Sequence, residues 1–493
     1  MFTLGIDIGS SSVKVSILDL ETGMNRASAF APHTEMSIIS RSPGWAEQDP
    51  EEWWIHVRSA TNEAIKKAGI EKDEVLSIGI SYQMHGLVMV DRNMNLLRDS
   101  IIWCDSRASR IGAKAFIELG ENYCNEHLLN SPGNFTASKL KWVQVNEPGL
   151  YKKIYKIMLP GDYIAMKMTG SISTTEGGLS EGILWNIKDN KIADLLMDYY
   201  SIDPGLIPDL VPTFGEQGRL SSEAAAYLGL KSGTPVSYRA GDQPNNAFSL
   251  NVLEPGDIAA TAGTSGVLYG VSNHALFDKK SRVNTFLHVN HSIEEKRLGV
   301  LFCLNGAGIL YNWLRRLTMG GELDYDIMNR MAAAVEPGSD GLRILPFGNG
   351  AERMLENRNP GCSISGINFN IHNLSHLYRA GLEGIAYAFK YGIDILGETG
   401  LNPSAIRAGN ANLFLSPVFR EILSTLTGLE VQLYDTDGSL GAARAAACGS
   451  GLYKTFDEAF EKLEIIEEII PDGINKELYE SLYNNWYNEL VST

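Results

Sequence analysis

The sequence predicts an α/β protein built as two similar lobes, and three observations carry that prediction. β-prone runs alternate with helical patterns along the whole chain, with no low-complexity tract or long linker. At 493 residues the chain is too long for one compact core. A strand, a Gly/Ser/Thr tip and a second strand occur twice, at 3–18 and at 257–270, so one design opens each half. Two α/β lobes facing across a cleft follow from this repeat, residues 1–248 forming the first and 249–493 the second.

The first hairpin runs from the apolar stretch 2–8 through Gly9-Ser10-Ser11-Ser12 into the β-prone stretch 13–18, which begins Val13-Lys14. Asp7 is a carboxylate inside that apolar stretch, and burying it is costly unless a metal or a hydrogen-bond donor pairs it. Gly9 lets a ligand approach the backbone, and Ser10 to Ser12 add hydroxyls beside backbone N–H groups, a combination that suits phosphate oxygens. Taken alone, the segment also fits a polar tip that binds nothing.

Further along, 51–68 reads as a helix with Trp54, Val57, Ala60 and Ala64 on its apolar side. Strands at 75–81 and 86–90 flank Tyr82-Gln83-Met84-His85, and Ile102-Trp103-Cys104-Asp105-Ser106-Arg107 follows about twenty residues on. Ligands of α/β sheets bind at strand ends, and both segments sit there. Gln83, His85, Asp105 and Arg107 could hydrogen-bond a polyol, with Trp103 against its carbons. A core histidine and a structural Asp105–Arg107 ion pair are the other readings. Asp242 closes an apolar stretch after Arg239-Ala-Gly241, just before the lobe boundary. There a carboxylate could take the proton of an attacking hydroxyl. It could equally cap a helix that has Pro244 in its first turn, and the two roles can coexist. A long helix at 377–396 buries Leu382, Ile385, Ala386, Phe389 and Ile393, and a closing helix after Pro471 docks through Tyr479, Tyr483, Trp486 and Leu490.

Composition narrows the function. A net charge of −17, from 42 basic and 59 acidic residues, disfavours nucleic acid and anionic membrane as partners. Five cysteines without C-x-x-C spacing fit a reduced, cytoplasmic protein, and there is no apolar run of membrane-spanning length. The P-loop, H-E-x-x-H and G-x-G-x-x-G patterns are missing.

With these motifs in order, the chain resembles the FGGY carbohydrate kinases and, within them, the xylulokinase branch. Asp7-Ile-Gly-Ser-Ser-Ser resembles the first phosphate motif and Gly263-Thr264-Ser265-Gly266 the second. Gly44-Trp-Ala-Glu-Gln-Asp-Pro50 is similar to G-W-x-E-Q-D-P, Ser81 to Gly86 to G-Q-M-H-G, and 102–107 to L-W-N-D-x-R. Leu159-Pro-Gly-Asp162-Tyr163 resembles L-P-K-D-Y, and Gly241-Asp242-Gln243 resembles G-D-N. The adenosine motif G-G-G-A-K-S departs, reading Ala408-Gly409-Asn410-Ala411-Asn412-Leu413, and Cys104 and Gln243 each replace an Asn.

The resemblance implies two actin-like (ribonuclease H-like) lobes and Mg²⁺-dependent transfer from ATP to D-xylulose. It implies Asp242 as general base and Asp7 as the Mg²⁺ residue. Gly9 to Ser12, Lys14, and Gly263 to Ser265 would meet the phosphates. Gly409, Asn410 and Asn412 would meet adenosine. Gln83, Met84, His85, Trp103, Asp105, Asp242 and Gln243 would meet the sugar. Ribulose, glycerol or gluconate as acceptor, or an inactive sugar or nucleotide sensor, are the alternatives. A small sugar and ATP are the expected partners, and a homodimer is compatible with the pattern.

Overall fold

The structure, a computed structural model, describes residues 1–318 and 323–492. It divides into two compact units. The first holds Met1–Asn251, Phe286–Leu298 and Thr436–Leu463; the second holds Val252–Thr285, Gly299–Asp435 and Glu464–Thr493. Two segments beyond the sequence-based boundary at residue 248, 286–298 and 436–463, thus cluster with the first unit. Hydrophobic pattern shows that a segment packs, not which distant partner it packs on.

The first unit is built on a five-stranded sheet in the order Val236–Gly241, Val75–Tyr82, Phe2–Ile8, Val13–Asp19, Asn25–Ala31. Phe2–Ile8 pairs antiparallel with Val13–Asp19 and parallel with Val75–Tyr82. The second unit repeats this plan. Asp257–Ala262 pairs antiparallel with Gly266–Ser272 and parallel with Ala405–Gly409, which pairs parallel with Glu430–Tyr434. The repeated strand–tip–strand pattern thus marks two sheets of the same local topology.

Helix Pro50–Ala68 begins where Asp49 accepts the Glu51 N–H, carries Pro50 in its first turn, and ends at Gly69 in the left-handed conformation. Trp53, Val57, Ala60 and Ala64 are fully buried on its sheet side. In the second unit the long helix is Leu374–Glu398, and all five apolar residues expected on its face are buried. Lys476–Ser492 docks through Tyr479, Trp486 and Leu490, while Tyr483 is half-buried. Among the described residues no helix is long and apolar enough to cross a membrane.

One contact fixes the middle of the first unit. Gly5 and Gly79 face each other across neighbouring strands. The alanine-rich helix Gly438–Gly449 lies directly on them. A Cβ on Gly5 would fall 1.9 Å from the Ser439 carbonyl oxygen, and one on Gly79 would fall 2.0 Å from that of Ala442. The sheet and helix backbones come this close because the sheet offers no side chain here and the helix only small ones. Gly5→Ala or Gly79→Ala should therefore lower the urea-unfolding midpoint, each by the equivalent of about 1–3 kcal/mol. The double variant should cost less than the sum, since one displacement of the helix relieves both clashes. Unchanged midpoints would mean that the helix can lift freely.

Candidate active site

Asp7 lies between Lys14 and Ser81 on the two flanking strands. Strand neighbours in register share a face, so all three side chains point the same way. Ser81 Oγ donates to Asp7 Oδ1 at 2.8 Å. Burial raises the Asp7 pKa, Ser81 and Lys14 oppose that, and the nearby Asp437 adds to it. Asp437 caps helix Gly438–Gly449, accepting the Leu440 N–H at 3.0 Å, and reaches Lys14 Nζ at 3.4 Å. A Cβ on Gly438 would stand 2.6 Å from Asp7 Oδ2, so the helix start closes on the carboxylate.

Asp242 is the first residue of helix Asp242–Ser249, directly after strand Val236–Gly241, and the capping position belongs to Gly241. The sequence-based cap is thus one residue out, and the Asp242 carboxyl does not serve as the N-cap. Burial, then the charge of Asp7, raise its pKa to about 7, against hydrogen bonding from Gln243. Asp437 thus acts on Asp7 and Asp7 on Asp242, with Lys14 as the cation that eases Asp7. Among the described residues no group of three or more His, Cys, Asp or Glu side chains has the arrangement of a metal cage. Carboxylates short of positive charge fit a divalent cation held mainly by phosphate oxygens and water.

The Gly9–Ser12 tip is closed by the Gly9 N–H donating to the Ser12 carbonyl at 3.0 Å. Ser11 is exposed and its neighbours are half-buried. Behind the tip, Gln48 Nε2 donates to the Ser10 carbonyl at 2.7 Å. Gln48 Oε1 in turn accepts from Trp53 Nε1 at 3.2 Å and from Gln83 Nε2 at 3.1 Å. Gln83, expected at the sugar, therefore braces the tip through Gln48.

Met84 and His85 leave the end of strand Val75–Tyr82. His85 holds φ of +61°, a conformation uncommon for a side chain of this size. Its surroundings keep it there. Lys139 Nζ donates to the His85 carbonyl at 2.8 Å, His85 Nδ1 hydrogen-bonds the Glu181 carbonyl at 2.9 Å, and the ring packs edge-on against Phe135 at 4.7 Å. A carbonyl partner requires the proton on Nδ1, which makes Nε2 the acceptor nitrogen of the neutral ring. Lys139 also donates to the Ile102 carbonyl at 2.9 Å, tying the two motif loops together. Burial lowers its pKa to about 7. A narrow pocket beside Met84 is lined by Glu181, Arg239, Gly241, Phe286 and His288 among others.

Trp103 is 43 % exposed and Gln243 half-buried next to Asp242. Asp105 is placed differently from the sequence expectation. Its carboxylate is fully buried, accepts the Ala46 N–H at 2.6 Å, and is clamped by Arg107 Nη2 at 2.7 Å. Arg107 also meets Glu47 at 2.7 Å and lies 3.8 Å over the Trp45 ring. The ion pair is structural, because both carboxylate oxygens are already engaged.

In the second unit, the Gly263 and Thr264 carbonyls accept the N–H groups of Gly308 and Ile309 at 2.8 and 3.1 Å. Thr264 is exposed, with Gly263 and Ser265 half-buried. Gly409 ends strand Ala405–Gly409, and Asn410 and Asn412 follow it, both exposed.

Sequence reasoning missed Glu181, Lys139 and Arg239. Lys139 and Glu181 sit within helices Thr136–Asn146 and Glu176–Glu181 that carry no motif. Arg239 gave a signal, a cation inside an apolar strand. It is fully buried, with Nε 3.0 Å from Asp162 Oδ1 and Nη2 3.2 Å from the Ser173 carbonyl.

The FGGY family of carbohydrate kinases matches this chain through its N-terminal domain at residues 2–249 and its C-terminal domain at 258–450. The chain belongs to that family. It is 29% identical over 504 residues to the xylulose kinase of Escherichia coli (strain K12), covering 99% of each protein. The crystal structure of xylulose kinase from Rhodospirillum rubrum matches with a TM-score of 0.88 and 27% identity, over 100% of this chain and 99% of that one. Gluconate kinase from Lactobacillus acidophilus matches with a TM-score of 0.89 at 21% identity, over 100% and 98%, a likeness of fold.

Breaking the Asp105–Arg107 pair tests the structural assignment. Asp105→Asn should destabilise the protein by about 3–5 kcal/mol, because the Arg107 charge is left buried with half its partners. The soluble fraction should keep its KM for sugar. A normal melting temperature with a raised sugar KM would return Asp105 to the ligand.

Proposed function

We propose that the chain transfers the γ-phosphoryl group of ATP to the terminal hydroxyl of D-xylulose, giving D-xylulose 5-phosphate, with Asp242 as general base. The observation that carries this is a carboxyl of pKa about 7 at the start of a helix, next to the pocket that holds Met84. A base of that pKa is half ionised at neutral pH, which suits proton transfer. Whole-length similarity to proteins named xylulose kinase supports the choice of sugar.

In this reading the sugar lies along Met84, with His85 Nε2 accepting a hydrogen bond from a hydroxyl and Gln243 beside the reacting end. Asp242 takes the proton as the terminal oxygen bonds to phosphorus, and the bond to the β,γ-bridging oxygen breaks to release ADP. The N–H groups and hydroxyls of Gly9 to Ser12, with Lys14, would hold phosphate oxygens, as would Gly263 to Ser265. Gly409, Asn410 and Asn412 would meet adenosine. Asp7 would hold Mg²⁺ through water, an ion that neutralises charge on the β- and γ-phosphates. An odd count of five cysteines with no C-x-x-C spacing fits the cytoplasm as the place of reaction.

A coupled ADP-release assay across pentoses, pentuloses, glycerol and gluconate tests the proposal, with D-xylulose expected to give the highest kcat/KM. A faster reaction on glycerol or gluconate would keep the kinase and replace the sugar. Asp242→Asn should lower kcat by about 10²–10⁴-fold while sugar binding persists. Retention of more than half the wild-type kcat would remove Asp242 from the role. Because the ionised form is the active one, wild-type kcat/KM should fall below pH about 7 and level off above it. The same residue links stability to pH. A carboxyl raised to about 7 from 3.8 keeps its proton in the folded state, so ligand-free stability falls as pH rises through that window. Asp242→Asn should flatten this dependence, and an unchanged slope would place the titrating group elsewhere.

A further inference from the structure

Glu181 ends helix Glu176–Glu181 with a side chain that is only 2% exposed. Among the described residues neither carboxylate oxygen has a hydrogen-bond partner. Burial, with the charges of Asp242 and Asp162, holds its carboxyl well above the usual range; the nearby Tyr82 hydroxyl opposes this but closes no hydrogen bond of proper geometry. The side chain lines the pocket beside Met84. A Cβ on Gly241 would stand 2.7 Å from Glu181 Oε2 and 2.6 Å from Met84 Cγ, so the carboxylate sits against the residue that precedes Asp242. Its backbone carbonyl meanwhile orients the His85 ring. A buried carboxylate without donors is costly, and native proteins rarely keep one that nothing satisfies.

We infer that Glu181 binds the acceptor sugar directly, its carboxylate receiving hydrogen bonds from one or two hydroxyls on the carbon chain between the Met84 contact and the reacting end. This rests on the proposed sugar-kinase reading. Its consequence is specificity. A polyol with a hydroxyl at that place satisfies the buried oxygens, and one without it leaves them unpaired.

Binding of D-xylulose and of its 3-deoxy and 4-deoxy analogues should be measured by calorimetry without ATP, on the full-length protein and on Glu181→Ala and Glu181→Gln. In the wild type at least one analogue should bind about 10–100-fold more weakly than D-xylulose. Glu181→Ala should weaken D-xylulose by a similar factor and lose nothing further with that analogue. KM for ATP should stay unchanged. Glu181→Gln, which keeps the shape and one acceptor, should fall between and decides the matter if the alanine variant does not fold. Equal D-xylulose affinity in the variants and the wild type overturns the inference. So does the same analogue penalty with and without Glu181. A wild type that binds another polyol from the assay panel but no D-xylulose corrects the proposed substrate instead. The cycle is then run on that polyol and its deoxy forms, where equal affinities or an equal deoxy penalty again overturn the role of Glu181.

Discussion

Asp7 places a carboxyl in the central region of a sheet, and much of its unit is arranged around the cost of ionising it. A carboxylate there must be met by donors or lose its ionisation. Ser81 supplies a hydrogen bond from the next strand, and Lys14 supplies charge from the other. Register makes this possible, since a slip of one residue would turn both partners to the opposite face. The same register sets Gly5 against Gly79 two residues earlier, and that bare surface lets helix Gly438–Gly449 reach the sheet with its start closed over Asp7. Compensation is incomplete, because Asp437 adds a second negative charge and Asp242 feels Asp7 in turn. An electrostatic deficit of this kind lies where a cation and phosphates would balance it.

The motif residues divide into those that face the candidate pocket and those that hold others still. Within Gly44-Trp-Ala-Glu-Gln-Asp-Pro50 every polar residue is engaged internally. Trp45 stacks on Arg107, Glu47 pairs with Arg98 and Arg107, Gln48 supports the Ser10 carbonyl, and Asp49 starts a helix. Leu159-Pro-Gly-Asp162-Tyr163 behaves likewise. Asp162 accepts the Leu159 N–H at 3.0 Å and pairs with Arg239, three residues before Asp242. Gly161 makes room for the Tyr82 ring, which a Cβ would approach to 2.1 Å. A buried ion pair gains little net stability, but it resists displacement because either charge alone would be stranded. Placing such pairs behind Asp242 and behind the Met84–His85 turn keeps the geometry fixed at some cost in stability.

Elements set by local pattern were legible in the sequence. The paired hairpins, the 50–68 helix and the long helix with its buried Leu382, Ile385 and Phe389 all follow from periodicity and turn residues. Asp7 was legible because a charge interrupts an apolar run. What sequence pattern could not supply was long-range pairing. Residues 286–298 and 436–463 join the first unit through contacts with no local signature. Asp105 next to Arg107 reads equally as ligand or scaffold until Ala46, Glu47 and Trp45 are seen around the pair. Glu181 looks like any helical glutamate, and only its burial without partners distinguishes it.

Met84, His85 and Glu181 cluster around Gly241, while Asp7, Lys14 and Asp437 cluster around the first tip and the helix start. Asp242 belongs to both sets, since it follows Gly241 and shares its electrostatics with Asp7. Under the proposed function, substitutions around the pocket can alter which sugar hydroxyls are satisfied and leave Asp7 and Asp437 untouched. The reverse does not hold. A change in charge at Asp7 moves the Asp242 pKa and, with Asp242 as the proposed base, the fraction of protein able to accept a proton. On that proposed reading, acceptor choice is the separable property and proton transfer the constrained one.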